Sequence, residues 1–317
     1  MKRFIAVFAA ILVLVTGTAP LAAQSGVMTF VWFSEEAGEL PEGIAADPQG
    51  NIYVGMAPTG EIRKVAPDGT VSTYAQLPLP PEAFLVGLAF DGFNNLYAAM
   101  VTFDPATHGI WRISPDGQAE LWAPLDPTSF PNWLEFSGSN LLVSDTILGV
   151  IWLIDPDGNA SIWVKSPLLL GDVDRSPLPF PIGANGMVIH DRYVYVANTG
   201  FGRIVRIPIG TGSRAGTPEV FVEDEELLYG ADGLAFDDWG TLYVAVNWLD
   251  SIAAISPSGQ ITTLAQGGAL QSPASVLAIG NVLYITNFAF AEPEGTRLPA
   301  LHWMYIGPMG TGGGGGK

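Results

Sequence analysis

A repeat is the feature that most constrains this chain. A short strand-like stretch with an aromatic or bulky residue recurs as NIYVG at Tyr53, NLYAA at Tyr97, NLLVS at Leu142, YVYVA at Tyr195, TLYVA at Tyr243 and VLYIT at Tyr284, in steps of 44, 45, 53, 48 and 41 residues. A second marker, Pro followed by Asp-Gly or Ser-Gly, lies further along most units at Asp68, Asp116, Asp157 and Ser258; the fourth unit has PIGTGSRAGTPE instead. The fixed φ of proline and the positive φ open to glycine suit such a stretch to a tight hairpin turn. Each unit therefore reads as four short antiparallel strands. Six units of this period predict an all-β fold, a six-bladed β-propeller, whereas a β-sandwich would not yield six near-equal copies. The last unit ends early, after ALHWMYIG, and MTFVWFS, ahead of the first unit, alternates like a strand. This N-terminal strand is expected to close the ring by completing the last blade, so that no sheet edge is left exposed.

Outside the repeat, Lys2 and Arg3 precede an apolar run from Phe4 to Val15 and small residues ending at Ala22 and Ala23. The run is too short to span a bilayer, so residues 1–23 are expected to be a cleaved secretory signal rather than an uncleaved anchor, and the mature protein to be secreted or periplasmic. Residues 24–307 then form the propeller and 308–317 a flexible glycine-rich tail. The tail does not fit the phosphate-loop pattern, because Thr311 stands where its first glycine belongs.

Formal net charge is −18, and loss of the signal removes two of the 13 basic groups and none of the 31 acidic ones. Such a surface repels phosphate backbones and anionic headgroups and attracts cations, which argues against nucleic acid, or a membrane after signal cleavage, as a partner. The chain has no cysteine, which excludes disulfides, thiolate nucleophiles and zinc–thiolate sites. A nucleophile-elbow serine motif is missing too, so a Ser-His-Asp hydrolase is not expected.

Ten or eleven residues before each strand marker, where the innermost strand of a blade begins, stand Glu42, Val86, Asn132, Asn185, Asp232 and Ala274. Equivalent positions of different blades converge on the channel mouth at one face of a propeller, so Glu42, Asn132, Asn185 and Asp232 should ring one point. Taken singly, Asn or Asp before Gly is an ordinary turn former. As a set, two carboxylates this close would repel and drive one pKa upward unless a cation lies between them. All-oxygen ligands with two charges and two amides suit a hard cation, Ca2+ ahead of Mg2+ or another divalent ion.

The segments PEGIAADPQGNIYV, ANGMVIHDRYVYVAN and ADGLAFDDWGTLYVA resemble those of the regucalcin (senescence marker protein) and gluconolactonase group of calcium-dependent six-bladed propellers, and more distantly the diisopropyl-fluorophosphatases and paraoxonases. The resemblance spans about Met28 to Gly307. It implies that Glu42, Asn132, Asn185 and Asp232 hold a catalytic calcium, and that Asp232 acts as general base or attacks directly. In PNWLEF, Trp133 replaces the acid that sugar-lactonase members carry, which implies a more apolar ligand than a sugar lactone.

The expected function is that of a calcium-dependent hydrolase, a monomeric lactonase or related esterase acting on a small molecule. The ion at the channel mouth would serve as Lewis acid on the carbonyl oxygen and stabilise the oxyanion. Loops on the same face should supply the pocket wall, with Trp133, Asn247, Trp248 and Asn287 as substrate contacts and Asp145, Asn198 and Phe288 beside them. SPLLLGDVDRSPLPFP and NFAFAEPEGTRLPA are long enough to act as lids. His108 is the imidazole best placed in sequence for proton transfer. His190 belongs on the opposite face, and His302 within a strand, packed or exposed. Two other readings stand beside this one: a non-catalytic extracellular binding propeller with a structural calcium, and a lyase like the streptogramin-cleaving propellers, which needs a histidine near magnesium.

Overall fold

The computed structural model describes residues 26–307. The signal read at 1–23 and the tail read at 308–317 lie outside the described residues. Six four-stranded antiparallel sheets form a six-bladed β-propeller. Blade 1 runs Pro41–Ala46, Ile52–Met56, Glu61–Val65 and Val71–Gln76 from the axis outwards. The innermost strands of blades 2 to 6 are Phe84–Phe90, Pro131–Ser137, Ala184–His190, Ala231–Phe236 and Pro273–Ile279. In blade 6 the fourth, outermost strand is Met28–Trp32, paired antiparallel with Ala300–Tyr305.

The recurring aromatic explains itself in the packing between blades. Tyr53 stands edge-on to Tyr74 of its own outer strand and Phe90 of the next blade, with ring centroids 4.8 and 4.9 Å away. Tyr97 does the same with Trp122 and Phe136, and Tyr195 with Phe221 and Phe236. Each such pair contributes about 1 kcal/mol beyond its buried area. The hydroxyls of Tyr53, Tyr97 and Tyr243 reach back to Asp47, Asp91 and Asp237, whose carboxylates also accept backbone N–H groups of the turn they begin. The marker thus fixes a turn and seals a seam at once.

Every innermost strand carries a bulge at one place. Register shifts between Pro41 and Ile44, Leu85 and Leu88, Pro131 and Leu134, Ala184 and Met187, Ala231 and Leu234, and Pro273 and Val276. The two residues skipped are the channel-mouth residue and its successor. A bulge frees its residues from the ladder and re-aims their side chains, and here it turns the first of the two toward the axis.

The second skipped residue decides how closely blades approach. Added to Gly43, Gly87 or Gly186, a Cβ would stand 2.2, 2.4 or 2.2 Å from the carbonyl oxygen of Val86, Asn132 or Asp232 in the next blade. Gly233 is held as tightly against Ala274 and Ser275. Blades 3 and 6 carry Trp133 and Ser275 there, and a hydroxyl fills the wider gap. Ser144 accepts the Trp133 N–H at 2.9 Å and donates to the Asn185 carbonyl at 2.6 Å. Thr286 accepts the Ser275 N–H and donates to the Glu42 carbonyl. Four seams are glycine seams and two, opposite each other in the ring, are hydroxyl seams.

Candidate metal centre

Glu42, Asn132, Asn185 and Asp232 line one cavity of about 230 Å³ on the propeller axis. They are 5, 6, 6 and 8% exposed, and four different bulges aim them there. Among the described residues no three His, Asp or Glu side chains cluster, so the site has two acids and takes its remaining oxygens from amides.

The amides are oriented by hydroxyls four residues after the strand marker. Thr146 donates to the Ala184 carbonyl at 2.9 Å, which leaves its lone pairs to accept the Asn132 Nδ2 at 3.2 Å. Thr199 donates to the Ala231 carbonyl at 2.7 Å and accepts the Asn185 Nδ2 at 3.0 Å. With each NH2 end tied back, each Oδ1 is turned away from the protein partner. Asn247 is held likewise, its Nδ2 donating to the Ser272 and Pro273 carbonyls and, at 3.5 Å, to Asp232 Oδ2. Glu42 Oε2 and the Oδ1 atoms of Asn132, Asn185 and Asn247 are all buried without a hydrogen-bond partner. An unpartnered buried oxygen costs about 1–3 kcal/mol, and four around one cavity fit a hard cation that would satisfy them together.

Electrostatics agree. Burial pushes Glu42 up to about 8, and Asp232 is raised well above the usual carboxylate range by burial and then by the charge of Glu42. Neither carboxylate has a cationic side chain as partner among the described residues, so the pair lacks the compensation that a positive charge would supply.

Asn247 and Trp248 line the cavity, as does Phe288; Trp133, Asn287, Asp145, Asn198 and His108, also named from sequence, do not. Trp133, one position past Asn132, turns to the other face of the strand. It is 6% exposed, lines a second cavity at the far end of the axis, and joins an apolar cluster linking blades 1 and 6 to blades 3 and 4. It does not line the cavity of the site. Asn287 precedes Phe288, and strand alternation points it outward: it accepts the Gln271 N–H and donates to the Leu298 carbonyl. Asp145 and Asn198 occupy the same register and likewise pin loops behind the wall.

His108 is fully buried outside the cavity. Its Nδ1 accepts the N–H groups of Thr102 and Phe103 at 3.2 Å each, so Nε2 carries the proton and donates to Ser129 Oγ at 3.0 Å. Burial lowers its pKa; the ring is a neutral loop anchor with no nitrogen left for proton transfer. His302 is buried with Nε2 on the Ala269 carbonyl, and His190 stacks on Phe236, away from the cavity.

Sequence reasoning missed Thr146 and Thr199. Their signal was present, since both share with Asn247 and Phe288 the column four past the marker. It also missed most of the wall. Leu178, Phe180 and Ile182 of the connection between blades 3 and 4 face the site with Phe84, Phe130 and Phe290.

The chain matches no protein-family model and no curated protein. Among solved structures it is similar to a gluconolactonase from Xanthomonas campestris (16% identity, 89% of each chain, TM-score 0.65). It is also similar to regucalcin, a calcium-binding protein from Agrobacterium tumefaciens (17% identity, 86% of this chain and 92% of that one, TM-score 0.64). A third likeness is to virginiamycin B lyase from Staphylococcus aureus (14% identity, 85% and 82%, TM-score 0.60). At identities of 17% or less these likenesses carry the fold, and the chain takes its place among the six-bladed β-propellers.

Proposed function

We propose that the protein is a secreted or periplasmic, calcium-dependent hydrolase of lactones or related esters. The carrying observation is the convergence of four unpartnered buried oxygens, on Glu42, Asn132, Asn185 and Asn247, with the Asp232 carboxylate at one cavity. The likeness to regucalcin, a calcium-binding protein, and to the Xanthomonas gluconolactonase supports the reading.

Glu42, Asn132, Asn185 and Asp232 would hold the ion, with Asn247 Oδ1 within the same cavity. When bound, calcium supplies Lewis-acid polarisation of the substrate carbonyl and charge for the oxyanion. Thr146 and Thr199 keep the two amides turned toward the site. Asp232 and Glu42 are the two groups in the cavity able both to face an ion and to take a proton, and Asn247 Nδ2, near Asp232 Oδ2, leaves the other Asp232 oxygen free for that work. The apolar wall excludes bulk water, which strengthens each of these interactions.

A second reading, a binding propeller in which calcium only ties blades together, is favoured by one observation: none of the three histidines lines the cavity. The same placement removes the imidazole a lyase would need. Calorimetry with calcium, alongside hydrolysis of a lactone and aryl-ester panel with calcium or chelator, separates these. Micromolar or tighter calcium binding with chelator-sensitive turnover, both lost in Asp232→Asn, is expected. Calcium binding without turnover of any panel member leaves the binding propeller; no calcium uptake overturns the metal centre.

A further inference from the structure

The wall of the cavity defines what the site takes. Phe130 and Phe180 stand with ring centroids 5.7 Å apart on one side, and Phe288 and Phe290, 4.8 Å apart, line the same cavity from blade 6. Trp248, packed on Tyr229 at 4.8 Å, also contributes. No Lys, Arg or His lines this cavity, so an anionic substrate finds no counter-charge apart from a bound ion.

Most side-chain hydrogen-bond donors of the cavity are committed as well. The amide nitrogens of Asn132, Asn185 and Asn247 and the hydroxyls of Thr146 and Thr199 already donate to protein oxygens. Among the side chains of the described residues that line the cavity, what remains is the second N–H of Asn132, the second N–H of Asn185 and the Trp248 indole N–H, few donors for a polyhydroxylated ligand. A polyhydroxylated sugar would lose water from several hydroxyls and recover few bonds, an outcome that costs about 1–3 kcal/mol per unmatched group. An aliphatic or aromatic group loses nothing and buries its surface against six aromatic side chains, Phe84 included.

We infer that the ligand of this cavity is a neutral, apolar lactone or ester, its carbonyl at the oxygen cluster and its alkyl or aryl group between the Phe130–Phe180 and Phe288–Phe290 pairs, rather than a sugar lactone. The inference rests on the hydrolase reading for the fate of the carbonyl, but not for the binding of the apolar group. Phe180, Phe288 and Phe290 come from loops at this face of the ring and Trp133 lines only the far cavity, so the apolar group lies toward those loops.

The test uses unreactive ligands. γ-Lactams bearing alkyl chains of two to ten carbons, and glucono-1,5-lactam, are titrated by calorimetry into the calcium-loaded protein. Affinity is expected to rise by up to about fourfold per methylene until the cavity fills, with glucono-1,5-lactam at least a hundredfold weaker than the best alkyl lactam. Phe180→Ala, on a surface connection outside the core, is expected to weaken the best lactam by roughly tenfold without changing calcium affinity. Affinity independent of chain length, a tighter sugar lactam, or wild-type binding in Phe180→Ala overturns the inference. Chain-length-dependent lactam binding without turnover of the matching lactone sustains it and counts against the hydrolase reading instead.

Discussion

Thr199→Val isolates what the hydroxyls behind the amides do. Valine keeps the shape and removes one oxygen. Two hydrogen bonds vanish, the 2.7 Å bond to the Ala231 carbonyl and the 3.0 Å bond from Asn185 Nδ2. At about 1 kcal/mol each, with the buried Ala231 carbonyl and amide left unmatched, the loss comes to about 2–4 kcal/mol of stability. The second consequence is specific: nothing then holds the Asn185 NH2 end back, so the amide samples the flipped orientation, with NH2 toward the ion. Loss of such outer support costs metal sites about 10–100-fold in affinity, or roughly 1.4–2.8 kcal/mol. Urea denaturation with chelator reports the first term and calorimetric calcium titration of the folded variant the second. Thr199→Ser, which restores the hydroxyl, should recover calcium affinity to within about threefold. A Thr199→Val protein that loses stability yet binds calcium like the wild type would refute the orienting role and leave Thr199 a seam residue only.

Three further outcomes follow from the packing. Gly186→Ala places a Cβ against the Asp232 carbonyl and should cost about 3 kcal/mol or more and weaken calcium binding, both read by denaturation and titration. Trp133→Phe should lower stability by about 1–2 kcal/mol while leaving lactam affinity within twofold, since the indole lies outside the cavity; a larger change would return it to the ligand. Glu135, part-buried in the apolar far end of the channel, is pushed up to about 8 by burial, with the Ile189 N–H pulling the other way. A raised carboxyl pKa gives stability that is full below about pH 4.5 and is lost as pH rises toward 8. The full shift would be worth about 5 kcal/mol, which water at the rim reduces to about 2–3. Glu135→Gln should match the wild type near pH 4.5 and exceed it by that amount at pH 8 in chemical denaturation; equal slopes across this range would place Glu135 in water.

The strand markers, five tyrosines and Leu142, and the Pro-Asp-Gly or Pro-Ser-Gly turns made the propeller legible, because each repeats a need that most blades share. Glu42, Asn132, Asn185 and Asp232 were legible for the same reason: one column, aimed by one bulge. Trp133 and Asn287 were misread through a single-residue uncertainty of facing. A bulge puts consecutive residues on different sides, so the aromatic next to a site residue need not touch the site, and Phe288 rather than Asn287 faces inward. His108 was misjudged because its three hydrogen-bond partners, Thr102, Phe103 and Ser129, come from loop folding that has no periodic signature. The apolar lining was hidden for a related reason: Phe180 sits in the connection between blades 3 and 4 and Phe290 in the long loop between the second and third strands of blade 6, both outside the repeat. The proposal of an apolar ligand rests on those phenylalanines and not on the tryptophan that first suggested it.

The two hydroxyl seams, between blades 3 and 4 and between blades 6 and 1, lie across a diameter. They divide the molecule into two half-rings of three blades, each locked internally by glycine-to-backbone contact and joined to the other through the hydroxyls of Ser144, Thr146 and Thr286. One half brings Glu42 and Asn132 to the axis, the other Asn185 and Asp232. A cation gripped by all four would act as a rivet between the halves, and its removal would be felt first as slackness along that diameter.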